Sequence, residues 1–279
     1  MHPDAVAALR CPLCRAPLAR AGATLRCGAG HAFDVARQGY VSFLVGRPSG
    51  LVGDDAAMVE ARSRFLAAGH FAPLARAIVE VARAAVTGPG LVLEVGAGTA
   101  YHLAQVLAAL PSRAGVAIDL SRHAARRAAR AHPGIAALVS DARSPLPLAD
   151  GCAALALDVF APRRGDELRR VLRNDGSLLV VTPERDHLAE LRGPLGLLQV
   201  DPEKERRVEE ALAPHFEREE VRPLAWELSL GREDAVALAS MGPSARHVAP
   251  AELAARSAAW PARARATASV VVATWRPRR

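Results

Sequence analysis

Two short cysteine–histidine pairs constrain this chain most: Cys11 and Cys14, then Cys27 and His31. They read Cys-x2-Cys, a gap of a dozen residues, and Cys-x3-His. Each pair closes a tight turn, so two ligand atoms converge from neighbouring positions. Two such knuckles facing each other make a tetrahedral site for a borderline-soft ion such as zinc. Four protein ligands leave no position open for water. The expected zinc, one per chain, is therefore structural and not catalytic. The segment around it, about residues 8 to 45, is too small to fold on apolar burial alone, so metal binding must supply most of its stability. Short strand-like pieces at 24–26 and 40–44 alternate with the knuckle turns. Of the 4 cysteines, only Cys152 lies far from this window. It reads as a small buried apolar residue.

A second motif follows. Leu91-Val92-Leu93-Glu94-Val95-Gly96-Ala97-Gly98-Thr99 is an apolar run, an acid and a Gly-x-Gly. This is a buried strand entering a glycine-rich turn and then a helix. Gly96 and Gly98 let the backbone approach a bound cofactor closely. Ala114–Asp119 is another apolar strand ending in an acid, roughly 20 residues on, the place of a ribose-binding carboxylate. Dinucleotides and S-adenosylmethionine both suit this geometry. Three features favour S-adenosylmethionine. Glu94 stands before the first glycine. Ala100 replaces the third glycine of the dinucleotide fingerprint. Ser140-Asp141-Ala142 follows a further strand and leads into Pro145–Gly151, a segment that looks like the adenine-binding loop of class I methyltransferases.

Composition sets wider bounds. The 279 residues are 51% hydrophobic, enough for one large domain and a small one. No apolar run reaches ~18 residues, so no membrane partner is expected. Residues 1–10 lack the apolar core of a signal peptide. A thiolate metal site without further paired cysteines suits a reducing cytoplasm. The net charge of +7 is compatible with a nucleic-acid partner. Lys204 is the only lysine, so nearly all basic residues are arginine. That points to a GC-rich genome and makes the charge balance modest evidence. Arginine does suit phosphate, because its planar fork binds two oxygens at once.

The order of elements fixes the fold class. Helices are expected at 54–67 and 73–86, the first capped by Asp54 or Asp55 and ended by Gly69. Strands at 91–95, 114–118, 135–139, 153–158 and 177–182 alternate with helices at 100–110, 121–131, 165–173 and 202–213. Alternation of this kind predicts an α/β, Rossmann-like fold with a mostly parallel sheet. A late strand at 269–275 fits the antiparallel hairpin that ends many class I methyltransferase sheets. The expected division is a zinc-binding module at 1–46, a linker and helix at 47–70, and a methyltransferase domain at 71–279. Two arginine groups, Arg122, Arg126, Arg127 and Arg130, and Arg163, Arg164, Arg169, Arg170 and Arg173, are either solvated helix faces or a phosphate-tracking surface. From the residues alone, three functions stay open: an RNA methyltransferase, a small-molecule methyltransferase with a structural zinc knob, and a non-enzymatic zinc RNA-binding protein.

Taken together the motifs resemble one family over nearly the whole chain, the large-subunit (23S) ribosomal RNA guanine-N1 methyltransferases, which include tylosin-resistance enzymes of antibiotic producers. The resemblance rests on Cys11-Pro12-Leu13-Cys14, Cys27 to His31, His31–Ala36 and Gly39-Tyr40-Val41. It continues through Arg62-Ser63-Arg64-Phe65-Leu66-Ala67-Ala68-Gly69-His70-Phe71, Asp158–Pro162, Thr182-Pro183 with His187-Leu188, and Met241–His247. It implies a class I fold using S-adenosylmethionine and methylating N1 of a guanine in a hairpin loop of 23S rRNA, with either macrolide resistance or housekeeping modification as the selected role. The same resemblance implies that the zinc module helps recognise RNA and that Phe71, Gly98, Thr99 and His187 touch the cofactor. Glu94, Asp119 and Asp141 fit the general class I pattern. Glu184 stands where relatives often have glycine. A homodimer is compatible with the sequence.

The chemistry needs help from the protein. Guanine N1 carries a proton at neutral pH, so a base, or stabilisation of developing charge on O6, is required. Asp158, at the end of the fourth strand of the alternation, is the candidate base, and Arg163 a candidate partner for O6. A target base must be unpaired or flipped out. Phe160 or Tyr101 could supply a stacking face for it.

Overall fold

Eight strands form the sheet that positions the site, and most of them run parallel. The computed structural model describes residues 1–45, 52–258 and 260–278. Most of the expected linker from Arg47 to Gly53 lies outside the described residues.

The chain opens with α1 (Pro3–Ala8) and a small antiparallel sheet of β1 (Leu18–Ala21), β2 (Thr24–Cys27) and β3 (Ala32–Asp34). Strand β4 (Tyr40–Ser42) follows, then α2 (Ala56–Ala67) and α3 (Ala72–Ala85). The alternating region holds β5 (Leu91–Val95), α4 (Tyr101–Ala109), β6 (Gly115–Asp119), α5 (Arg122–Ala131), β7 (Ile135–Val139), β8 (Ala153–Val159), α6 (Gly165–Val171) and β9 (Leu172–Pro183). The C-terminal part adds α7 (Ala189–Leu195), α8 (Lys204–Leu212), β10 (Phe216–Leu230), α9 (Arg232–Met241), α10 (Pro250–Ala258) and β11 (Ala264–Pro277).

The strand order is β10-β11-β9-β8-β5-β6-β7-β4. Pairs from β4 to β9 are parallel, while β11 runs antiparallel to both β9 and β10. After β5 the chain winds one way through β6 and β7, then returns to place β8 on the other side of β5. A crevice opens at such a reversal, outside the carboxyl ends of β5 and β8, and that is where ligands bind in open α/β sheets. The glycine turn and Asp158 stand at those two strand ends.

Two apolar layers sandwich the sheet. One contains Phe65, Leu74, Ile78, Leu103 and Ala125 from α2 to α5, with Leu191 and Leu238 from α7 and α9. The other contains Leu168 and Leu212 from α6 and α8, together with Leu9, Leu25, Phe33, Val41 and Phe43 from the N-terminal segment. The zinc module is thus docked on the sheet. Phe33 meets Phe43 edge-on at 5.0 Å between ring centres, and β4 pairs in parallel with β7 as the edge strand. Residues 40–42, inside the expected 1–46 module, are hydrogen-bonded into the large sheet.

Strand β10 has no counterpart among the expected elements. Its first half, Phe216 to Pro223, is charged and contains a proline, both marks of an edge strand. Apolar alternation surfaces only late, at Leu224, Trp226, Leu228 and Leu230. Helix α2 is capped by Asp55, which accepts the Met58 N–H at 2.9 Å. Asp54 has other partners.

Candidate active site and zinc centre

The two knuckles bring Cys11, Cys14, Cys27 and His31 together, with all four ligand atoms within 4.8 Å of one another. Cys14 and Cys27 Sγ are 3.7 Å apart, and His31 Nδ1 lies 3.5 Å from Cys11 Sγ and 3.4 Å from Cys27 Sγ. A zinc tetrahedron with bonds of about 2.3 Å to sulfur and 2.05 Å to nitrogen has edges of about 3.8 Å and 3.5 Å. The residues therefore fit a structural zinc ion. Burial would raise the Cys27 thiol, but the backbone N–H groups of His31 and Ala29, with the side chains of Cys14 and His31, together outweigh it and bring the thiol to about 7. Arg15, in the first knuckle, reaches from this centre to the Pro145–Gly151 loop, donating to the carbonyls of Leu146 at 2.6 Å and Leu148 at 3.0 Å.

The glycine turn is built as the motif requires. Gly96 and Gly98 both have positive φ, and a Cβ on Gly96 would fall 2.5 Å from the Ala161 Cβ. Ala100 also sits in the left-handed region, at φ 57, and its methyl is fully buried. A glycine in that place would be unstrained, whereas alanine must be held there by packing. The Asp119 carboxylate accepts from the Gly98 N–H and the Ser121 N–H, both at 2.8 Å. Burial raises its pKa despite those two N–H groups. Glu94 is 2% exposed and accepts the Leu103 N–H at 3.2 Å. Burial pushes its carboxyl up to about 8.

A cavity above the turn is lined by Phe71, Glu94, Gly96 and Thr99, four of the expected cofactor residues, with Arg62, Tyr101, His102, Phe160 and Met241. His187 joins through the Phe71 ring at 6.4 Å and the Phe160 ring at 6.0 Å. Its Nδ1 lies 2.9 Å from the Ser269 carbonyl, and burial lowers its pKa, which keeps it neutral. Asp141 stands just beyond the end of β7, outside this lining, where its Oδ1 accepts the Arg143 N–H at 2.9 Å. The close approach that Gly96 and Gly98 permit, with carboxylates at successive strand ends, fits an adenosyl cofactor. Arg62 and Met241 open two of the segments that carry the resemblance, but the sequence assigns no site role to either of them or to His102. Their side chains reach the cavity only through tertiary packing.

Asp158 is fully buried, and both its oxygens are taken. Arg163 donates Nε to Oδ2 at 2.8 Å and Nη2 to Oδ1 at 3.0 Å, and the Ala161 N–H adds a contact of 3.3 Å. The guanidinium and the backbone N–H occupy both oxygens, and Asp158 is not part of the cavity lining. The next residue but one, Phe160, is 38% exposed and has φ 56, a strained conformation for a large side chain.

The two arginine groups differ in kind. Arg163, Arg164, Arg170 and Arg173 are neutralised by Asp158, Asp166, Glu167 with Asp150, and Asp175. Arg127 pairs with Glu60. Arg122, Arg126 and Arg130 are exposed and make no ion pair among the described residues. They recur every fourth residue, so they form one stripe along α5, about 12 Å long. Exposed Arg37 lies on the turn whose Gly39 meets Ala129 of α5. The stripe starts beside Asp119 and runs along the sheet flank to that turn.

Comparisons with known proteins agree with this geometry. The family model described as RlmA, N-terminal, a zinc ribbon, matches residues 9–45. A protein of Micromonospora griseorubida, named as a 23S rRNA (guanine-N(1)-)-methyltransferase, is 49% identical, covering 99% of this chain and 100% of its own. The 23S rRNA (guanine(748)-N(1))-methyltransferase of Streptomyces fradiae is 48% identical over 99% of both chains. Among solved structures, a chain from the Haloferax volcanii complex of the Trm112 activator with a methyltransferase shares the fold. It aligns with a TM-score of 0.51 at 14% identity, over 82% of this chain and 100% of that one. With two knuckles that fit zinc, a class I cofactor turn and full-length identity near one half, the chain belongs to the family of 23S rRNA guanine-N1 methyltransferases.

Proposed function

We propose that this protein transfers the methyl group of S-adenosylmethionine to N1 of a guanine in a hairpin loop of 23S rRNA, at the position equivalent to guanine 748. The observation that carries the reading is the pairing, in one chain, of the zinc ribbon with the cavity over Gly96 and Gly98. The cofactor supplies a sulfonium-bound methyl, a strong electrophile, so the protein's task is mainly placement of the nucleophile. Phe71, Gly96, Gly98, Thr99 and His187 would shape the cofactor site, Asp119 would take the ribose hydroxyls, and Asp141 would face the adenine. Glu94 would meet the cofactor's ammonium group.

On the acceptor side, strained and exposed Phe160 offers a stacking face at the mouth of the cavity. Asp158 acts as the anchor of Arg163 and not as the proton acceptor. That leaves Arg163 Nη1, which takes no partner among the described residues, to stabilise charge on guanine O6 as the N1 proton passes to solvent water. Residues 1–46 serve RNA recognition, 47–70 link, and 71–279 carry the transfer. The arginine stripe on α5 holds phosphates. No single helix among the described residues is long and apolar enough to cross a membrane. We place the enzyme in the cytoplasm with its RNA. Transfer of labelled methyl to 23S rRNA lacking the modification, followed by mapping of the modified base, tests the reading. Label found only on small-molecule acceptors would overturn it.

A further inference from the structure

Arg62 projects from α2 onto the glycine turn. Its Cδ is 3.3 Å, and its Nε 3.6 Å, from where a Cβ on Gly98 would stand. One arm of the guanidinium is already held. Nη2 donates to Asp54 Oδ2 at 2.6 Å and to the Met241 carbonyl at 2.7 Å. Asp54 is itself fixed, pairing with Arg246 at 3.5 Å and accepting the Ser121 hydroxyl on its carbonyl. The other side of the guanidinium is not held. Arg62 Nε is buried, has no hydrogen-bond partner among the described residues, and belongs to a side chain that lines the cavity with Glu94 and Gly96.

A buried guanidinium N–H without an acceptor is costly unless a ligand supplies one. The acceptor suited to a guanidinium is an oxyanion, because the match is charge-assisted. Among the described residues that line this cavity, Arg62 is the only arginine or lysine. His102, also without a partner at Nδ1, is kept neutral, since burial lowers its pKa to about 4.

We infer that Arg62 binds the α-carboxylate at the amino-acid end of the cofactor through Nε, and that Asp54 and the Met241 carbonyl position it for this. The inference rests on S-adenosylmethionine as the cofactor. Asp119 at one side of the turn then takes the ribose, while Arg62 at the other takes the carboxylate, so the turn is gripped from both flanks. The anchors come from segments at both ends of the chain, so cofactor binding would tighten the contact between α2 and the end of α9.

Calorimetry on the full chain tests this without turnover. S-Adenosylhomocysteine is compared with its decarboxylated analogue, on wild type and on Arg62→Gln. We expect wild type to lose about tenfold or more in affinity when the carboxylate is removed, as for a charge-assisted contact. Arg62→Gln should lose a similar factor for S-adenosylhomocysteine and change less than about twofold for the analogue. Equal binding of the two ligands by wild type overturns the inference, and that arm needs no variant to fold. Equal weakening of both ligands by Arg62→Gln also overturns it, because a merely structural arginine would act so. Failure of wild type to bind S-adenosylhomocysteine at all would instead overturn the cofactor reading.

Discussion

Asp119 Oδ2 accepts the Gly98 backbone N–H at 2.8 Å, tying the end of β6 to the glycine turn 21 residues earlier. Its other oxygen accepts the Ser121 N–H at the same distance, at the start of α5. One carboxylate therefore shapes the turn before any cofactor arrives, and in the proposed site its remaining lone pairs would take the ribose hydroxyls. Asp119→Ala should lose about tenfold or more in S-adenosylmethionine affinity and about 1–3 kcal/mol of stability, because two backbone donors lose their acceptor. Calorimetric titration and denaturant melts measure the two losses. Unchanged cofactor affinity would remove Asp119 from the site. Unchanged stability would contradict its hold on the turn.

Glu94 predicts a pH effect with a definite sign. Its ordinary value is 4.5, and burial raises the folded value to about 8. Between these values the unfolded chain ionises the group and the folded chain does not, so stability falls as pH rises through that window. Its contribution is fully present below pH 4.5 and levels off at its lost value above about 8. Each pH unit in between costs up to about 1.4 kcal/mol. Glu94→Gln keeps an acceptor for the Leu103 N–H and cannot ionise. Melting the cofactor-free protein from pH 5 to 9 should show wild type losing a few kcal/mol more than Glu94→Gln. Parallel profiles would show that Glu94 is not held protonated.

Elements that bury both faces were legible in the sequence. Strands β5 and β7 appear at 91–95 and 135–139 as expected, because an unbroken apolar run in β7, and one broken only by Glu94 in β5, have few other uses. Strand β10 was hidden because an edge strand carries charge and proline in its exposed half. The ligand spacing of Cys11, Cys14, Cys27 and His31 is local and readable. Arg62 is not, since its meaning depends on Met241, 179 residues away. The arginine groups mislead for a related reason. Counting charge along a helix cannot show that Arg170 is already bound to Glu167 and Asp150.

The zinc module should be inseparable from the methyltransferase domain. A chain starting near Asp54 loses β4 from the sheet edge and uncovers the face packed by Leu9, Val41 and Phe43. The docking predicts a large loss of stability, several kcal/mol for three large apolar side chains. Cys14→Ser is the gentler probe, because Cys14 is the exposed ligand. It should lose stoichiometric zinc while β4 stays paired. Metal analysis and the melting temperature check both points. A shortened chain as stable as the whole would show that the module is merely tethered.

Phe160 should matter for turnover and little for the cofactor. Base stacking on an aromatic ring contributes about 1–3 kcal/mol. Phe160→Ala should reduce kcat/KM on 23S rRNA by roughly tenfold or more, leave S-adenosylhomocysteine binding within about threefold, and be partly rescued by Phe160→Tyr. An equal fall in cofactor affinity would make Phe160 a wall of the cofactor site and not a platform for the base.

The arginine stripe gives the sharpest contrast between variants. Arg122, Arg126 and Arg130 are exposed without ion pairs among the described residues, whereas Arg164 and Arg173 already have carboxylate partners. An arginine held by a carboxylate releases few counterions when RNA arrives, because its charge is already compensated. A free one releases them fully. Replacing the three α5 arginines by glutamine should weaken RNA binding and lower the slope of log K against log salt by about 2 to 3. Replacing Arg164 and Arg173 should leave the slope nearly unchanged. Cofactor affinity should stay constant in both variants, since α5 reaches the cofactor site through Ser121 and Asp119 and not through this face. Filter binding of a 23S rRNA hairpin at several salt concentrations supplies the slopes. If the α5 variant keeps the wild-type slope while the variant at Arg164 and Arg173 loses it, the phosphate-binding surface lies on the other flank of the sheet.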